Sequence, residues 1–206
     1  MITIIDYGLG NINAFVNIYK KSDIQVKIAN KLEDLESSSK IILPGVGAFD
    51  HAMTKLSESG MRERLDQLVL KENVPVLGIC VGMQILAQSS EEGKLKGLGW
   101  IKGVVKKFDS SKLIEYTHLP HMGWNDVTPI PKQKLFENIG ENPLFYFLHS
   151  YYFECANVEN SIAITDYAGS NFTCAVQVNN IFGVQFHPEK SHNAGIQLLN
   201  NFASHI

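Results

Sequence analysis

Pro75-Val76-Leu77-Gly78-Ile79-Cys80-Val81-Gly82 constrains this chain more than any other segment. A short, wholly apolar run bounded by proline and glycine reads as a strand buried on both faces. The residues from Val81 to Gln88 read as a helix that starts at once, with no loop between. A strand that turns directly into a helix around G-x-nucleophile-x-G is the nucleophile elbow, here with Cys80 in the serine position. The turn lifts the side chain clear of the sheet. The helix N-terminus sets partial positive charge beside the sulfur and favours the thiolate. The Val81 N–H is placed to help hold an oxyanion.

The flanking pattern fits the parallel sheet that an elbow needs. Ile2–Ile5, Val26–Ile28 and Lys40–Leu43 read as strands. Between and after them lie helical stripes over Asn11–Ser22, from an N-cap at Asp50, and through Met61, Leu65, Leu68 and Val69. The second half is strand-rich, with runs over 100–108, 145–155, 161–166, 173–178 and 182–186, and a closing helix over 194–204. The expected fold is α/β: a mixed, mostly parallel, flavodoxin-like central sheet with helices on both faces and strand-rich additions in the second half. No linker or repeat divides residues 1–206, so one domain is expected.

A Cys nucleophile needs a base, and the base needs an orienting group. Of seven histidines, only His187 ends a strong strand and is followed two residues on by a carboxylate, Glu189, across the stiff Pro188. Pro44-Gly45-Val46-Gly47, after the third strand, can supply a second oxyanion N–H. Other chemistries fit less well. Gly8-Leu9-Gly10 could open a dinucleotide loop, but position 13 is Asn13 and no acidic residue follows at the right strand end. His118, His121 and His149 lack a partner at metal-ligand spacing, so no metal or other cofactor is expected. Eighteen Lys and Arg against 21 Asp and Glu give a net charge of −3. This argues against nucleic-acid binding. Three scattered cysteines suggest a reducing compartment, and no apolar run is long enough for a membrane span. A soluble, cytoplasmic protein is expected.

Six segments in order carry a family resemblance: Asp6–Asn11, Pro44–Gly47, Gly78–Gln84, Pro120–Asn125, His149–Tyr152 and Gln185–Ser191. Together they resemble the class I (triad) glutamine amidotransferases, from Ile4 to Phe202. Within that family the likeness is to the glutaminase subunits of imidazole glycerol phosphate synthase.

The resemblance implies a glutamyl thioester on Cys80, with His187 moving the proton and Glu189 orienting it. It implies that Gln84, Glu92, Ser150 and Tyr151 bind glutamine. The oxyanion site falls at Gly45, Val46, Gly47 and Val81, and that strand can stay turned away until a partner binds. The implied partner is a HisF-like (β/α)8-barrel synthase, joined as a heterodimer through Asn11, Met122, Trp124 and Lys190. Two alternatives stay open. Trp100 and the segment Asn13–Lys20 depart from the branch's pattern, as a paralogue feeding a sugar amidotransferase could. A non-catalytic regulatory subunit on the same fold is the other.

Overall fold

The computed structural model describes residues 1–109, 111 and 118–206. In chain order these form β1 (Ile2–Ile5), α1 (Ile12–Lys21), β2 (Val26–Ala29), β3 (Lys40–Gly45), α2 (Phe49–Glu58), α3 (Arg62–Leu70), β4 (Val76–Cys80) and α4 (Val81–Gln84). There follow β5 (Ser89–Ser90), β6 (Gly103–Lys107), β7 (His121–Asp126), β8 (Thr128–Pro129), β9 (Leu144–His149) and β10 (Tyr151–Cys155). The chain ends with β11 (Ser161–Tyr167), β12 (Ser170–Val178), β13 (Ile181–Val184) and α5 (His192–His205).

Among the described residues the largest sheet runs β2-β1-β3-β4-β13-β12-β11-β8. The first five strands are mutually parallel and the rest antiparallel. The sheet grows first toward β2 and then the other way. Right-handed crossovers therefore put α1 on one face and α2 and α3 on the other, and α5 packs beside α1. The parallel strands β1, β3, β4 and β13 are covered on both sides, which is why each is an almost unbroken apolar run. Two smaller sheets, β10-β6-β5 and the ribbon β7-β9, lie outside this frame.

Several details differ from the sequence expectation. The strand expected over 145–155 is two strands in different sheets, broken at Ser150. The expected 100–108 strand shrinks to β6. Trp100 is buried instead, and its indole N–H donates to Asp66 of α3 at 2.7 Å. The helix after the elbow is one turn, not two. Asp50 does not cap α2, which begins one residue earlier. Its carboxylate accepts from the Lys94 and Leu95 N–H groups, and Glu92 takes the first helical N–H, that of Phe49, at 2.8 Å. β7 and β8 have no counterpart in the expected strands. No helix among the described residues is long and apolar enough to cross a membrane.

Candidate active site

Cys80 is both the last residue of β4 and the residue before α4. Its φ of 55° and ψ of −112° lie where a side chain is strained. Such a turn is possible only if β3, β4 and α4 approach closely. A methyl on Gly82 would sit 1.9 Å from the Leu43 carbonyl oxygen, and one on Gly78 would sit 2.6 Å from the Gly82 oxygen. Both glycines are therefore required by space.

β13 lies parallel to β4 and brings its C-terminal end beside the elbow. The chain leaves it through His187 into a short 3₁₀ turn, Pro188–Lys190. His187 is held at its backbone by donation to the Tyr146 carbonyl, 2.8 Å, and by the Ser191 hydroxyl on its own carbonyl, 2.6 Å. Its Nδ1 meets Glu189 Oε1 at 2.9 Å, and both side chains are almost fully buried. Nδ1 carries the proton toward the carboxylate, which leaves Nε2 for the sulfur. Burial alone would lower the imidazole pKa. Hydrogen bonds and charge from Cys80 and Glu189 outweigh it and push His187 up to about 10.

A pocket of about 350 Å³ opens over these groups, within the usual size range for small-ligand sites. Val46, Gly47, Cys80, Val81, Gln84, Glu92, Ser150, Tyr151, His187 and Lys190 all border it. Gly45 pairs in register with Cys80 and stands at its edge. A larger hollow at 128–142 contains none of these residues. The structure thus gathers the sequence-predicted nucleophile, base, oxyanion and substrate residues at one sheet edge. Glu189 lies behind His187, away from the pocket.

Some of these groups are already engaged. Gln84 donates both amide hydrogens inward, to the Tyr151 carbonyl at 3.1 Å and to Gln185 Oε1 at 3.0 Å. Only its carbonyl oxygen is left for a ligand. The Tyr151 carbonyl also accepts from His149 Nδ1 at 2.8 Å. The Ser150 carbonyl accepts from the Phe108 N–H at 3.3 Å.

The family resemblance implies a contact surface at four positions. Met122 and Trp124 on β7 are 65% and 46% exposed. Trp124 is therefore no core residue, and it stacks on His192 with ring centroids 4.9 Å apart. On the paired strand β9, Leu144 and Leu148 are also exposed. The ribbon presents an apolar outer face, while its inner face carries His121, Phe145, Phe147 and His149. Lys190 sits over the Tyr146 ring at 5.5 Å, and Asn11 is exposed before α1.

Sequence reasoning gave no role to two residues at the site. Tyr7, two residues beyond β1, donates to the Pro44 carbonyl at 2.7 Å and so ties down the Pro44–Gly47 segment. Burial, and then the nearby Cys80, drives its hydroxyl pKa far up, so it stays a neutral donor. Gln185 stands against Cys80, with its Nε2 3.7 Å from Sγ. Both lie within quoted motifs, but neither residue type carries a signal of its own.

The family model described as "Glutamine amidotransferase class-I" matches residues 3–206. The chain is 57% identical over 203 residues to a protein of Bdellovibrio bacteriovorus named imidazole glycerol phosphate synthase subunit HisH. The match covers 98% of this chain and 99% of that protein. A Leptospira interrogans protein of the same name is 56% identical over 204 residues, covering 99% and 100%. Among solved structures, one titled as a crystal structure of a glutamine amidotransferase superposes with a TM-score of 0.74. It covers 98% of each chain at 17% identity, a likeness of fold alone.

Proposed function

The chain belongs to the class-I glutamine amidotransferase family, and on that premise we propose that it is the glutaminase subunit of an imidazole glycerol phosphate synthase. It hydrolyses L-glutamine to glutamate and ammonia. The observation that carries the reading is the strained Cys80 sharing one pocket with His187, which Glu189 backs from its buried side.

The Cys80 thiolate attacks the side-chain carboxamide carbon of glutamine. The tetrahedral oxyanion is held by the Val81 N–H and by N–H groups of the Gly45–Val46–Gly47 segment. The His187 imidazolium, kept charged by Glu189, gives its proton to the departing ammonia as the C–N bond breaks. That leaves a glutamyl thioester. Neutral His187 then takes a proton from water as its oxygen attacks, the C–S bond breaks, and glutamate leaves with the thiolate restored. The free Gln84 carbonyl oxygen and the Glu92 carboxylate are acceptors, which suits the substrate's α-ammonium group. Ser150 and Tyr151 meet the neighbouring α-carboxylate through the backbone.

Ammonia released into water would be protonated and lost as a nucleophile. The partner that receives it is a HisF-like (β/α)8-barrel synthase, which makes imidazole glycerol phosphate and aminoimidazole carboxamide ribonucleotide. The apolar outer face of the β7–β9 ribbon, with Met122 and Trp124, supports an interface there, since an exposed patch of this kind marks a contact site. Asn11 and Lys190 complete it. Leu148 belongs both to that face and to the pocket, so the interface adjoins the chemistry.

The test is glutamate release from glutamine by the purified chain, alone and with the barrel synthase of the same genome plus its nucleotide ligand. Strong stimulation in the mixture, lost in Cys80→Ala, is the expected result. Stimulation by a sugar amidotransferase instead would move the protein to another pathway with the same chemistry. Glutamate release that survives Cys80→Ala would overturn the mechanism.

A further inference from the structure

Gln185 is a fully buried polar side chain that the Cys–His–Glu set leaves without a role. The register of β13 on β4 pairs Val184 with Ile79. One step further along, Gln185 and Cys80 are neighbours. Gln185 Nε2 lies 3.7 Å from Cys80 Sγ, within reach of a large, diffuse sulfur acceptor. On another side of the sulfur is the Leu148 carbonyl oxygen, at 3.9 Å. That oxygen can accept from a thiol S–H but only repels a thiolate. A thiolate there needs donors, and Gln185 is placed to be one.

The orientation of the Gln185 amide is fixed by what lies behind it. Its Oε1 accepts from Gln84 Nε2, so its NH₂ end must face the sulfur. A flipped amide would set donor against donor at Gln84. Gln84 is locked in turn by the Tyr151 carbonyl, which can only accept. His149 Nδ1 donates to that same carbonyl, so His149 Nε2 is an acceptor, and His121 Nδ1 donates to it at 3.1 Å. His121 Nε2 then accepts from Asn125 Nδ2 at 3.3 Å. Gln84 and His149 thus donate from two sides to the one Tyr151 carbonyl, which fixes both the Gln84 amide and the His149 tautomer.

We propose that Gln185 is a further catalytic residue, whose side-chain N–H steadies the Cys80 thiolate and is aimed at it by Gln84, itself fixed by the Tyr151 carbonyl. The proposal rests on Cys80 being the nucleophile. Hydrogen bonds to charged groups are the stronger kind, so removing this one has a measurable effect on how readily the sulfur ionises.

The experiment is alkylation by iodoacetamide, followed on the Cys80 peptide by mass spectrometry to separate it from Cys155 and Cys174. Gln185→Met keeps length and bulk but cannot donate. His187 with Glu189, His149, Tyr7, Tyr151, Glu92 and Lys190, the titratable groups around the sulfur and its pocket, are the same in both proteins. At neutral pH the variant is expected to react about three- to tenfold more slowly than wild type. At alkaline pH, where both sulfurs are ionised, the rates should converge. A purely structural role would slow the reaction by the same factor at every pH. That result, or a profile matching wild type, would overturn the proposal. If the variant does not fold, the wild-type chain answers the question by NMR. The Gln185 side-chain amide signals should follow the ionisation of Cys80 and stay still in Cys80→Ala. Signals that ignore the sulfur in wild type would also overturn it. Glutamate release surviving Cys80→Ala, in contrast, would remove the nucleophile reading itself, whatever the alkylation profile shows.

Discussion

His187, just beyond β13, and the His121–His149 pair, on the inner face of the β7–β9 ribbon, are buried to the same degree, between 3% and 6% exposed. Their chemistry is opposite. His187 is pushed up to about 10 because Cys80 and Glu189 offset the cost of its burial. His149 is pushed down to about 3 and His121 to about 4, since burial dominates for both. The pair's partners are each other, a backbone carbonyl, an amide, and the rings of Phe147 and Tyr167. Burial sets the penalty for charge, and the partner decides whether charge survives. One region thus holds a proton that can be delivered. The other holds two neutral rings of fixed tautomer that can only aim their neighbours.

The largest effect expected from breaking this contrast is at His187. His187→Ala should cost about 10²–10⁴-fold in glutaminase turnover, measured with the barrel synthase present, while circular dichroism keeps the wild-type signature. Glu189→Gln keeps the geometry but removes the charge that supports the imidazolium. It should retain roughly ten- to a hundredfold more turnover than His187→Ala. A variant as active as wild type would show that the carboxylate does not matter.

The smallest effects concern stability against pH. His121 and His149 have folded pKa values below the ordinary 6.5, so the unfolded chain binds more protons as pH falls below that value. Their contribution to stability is full above about 6.5 and is lost progressively toward about 4 and about 3. Each should add about 1.4 kcal/mol per pH unit to the acid slope of the unfolding free energy. His121→Asn should flatten that slope by about one proton. His187 has the opposite sign. Its contribution is present below about 6.5 and is lost as pH rises toward about 10, so His187→Ala should leave the acid limb alone and flatten the alkaline one. Denaturant unfolding across pH reads both. An acid slope unchanged in His121→Asn would mean that the ribbon pair is not the neutral site described here.

The same two regions were unequally legible in the sequence. The elbow and its parallel neighbours are read directly, because strands covered on both faces leave continuous apolar runs and the glycines that space demands stand beside Cys80. His187 is legible because a strand end, a proline and a carboxylate coincide. The ribbon is not. β7 is interrupted by Gly123 and carries His, Trp and Asn, so its alternation is faint, and its meaning depends on pairing with β9. The break at Ser150 is marked only by that lone serine, a weak turn signal without Gly, Pro, Asn or Asp beside it, yet it sends two halves of one apolar run into different sheets. Asp50 has the residue type of a cap, but the loop at Lys94 and Leu95, distant in sequence, takes its carboxylate. Gln185 shows its use only through the register that sets it against Cys80.

The covalent intermediate offers the most direct test. The protein, with the barrel synthase proposed as its partner and excess glutamine, is quenched in acid during turnover and the cysteine peptides are weighed. A glutamyl adduct on the Cys80 peptide, with Cys155 and Cys174 unmodified, is the predicted result. Steady glutamate release with no adduct on Cys80, together with undiminished release by Cys80→Ala, would contradict it.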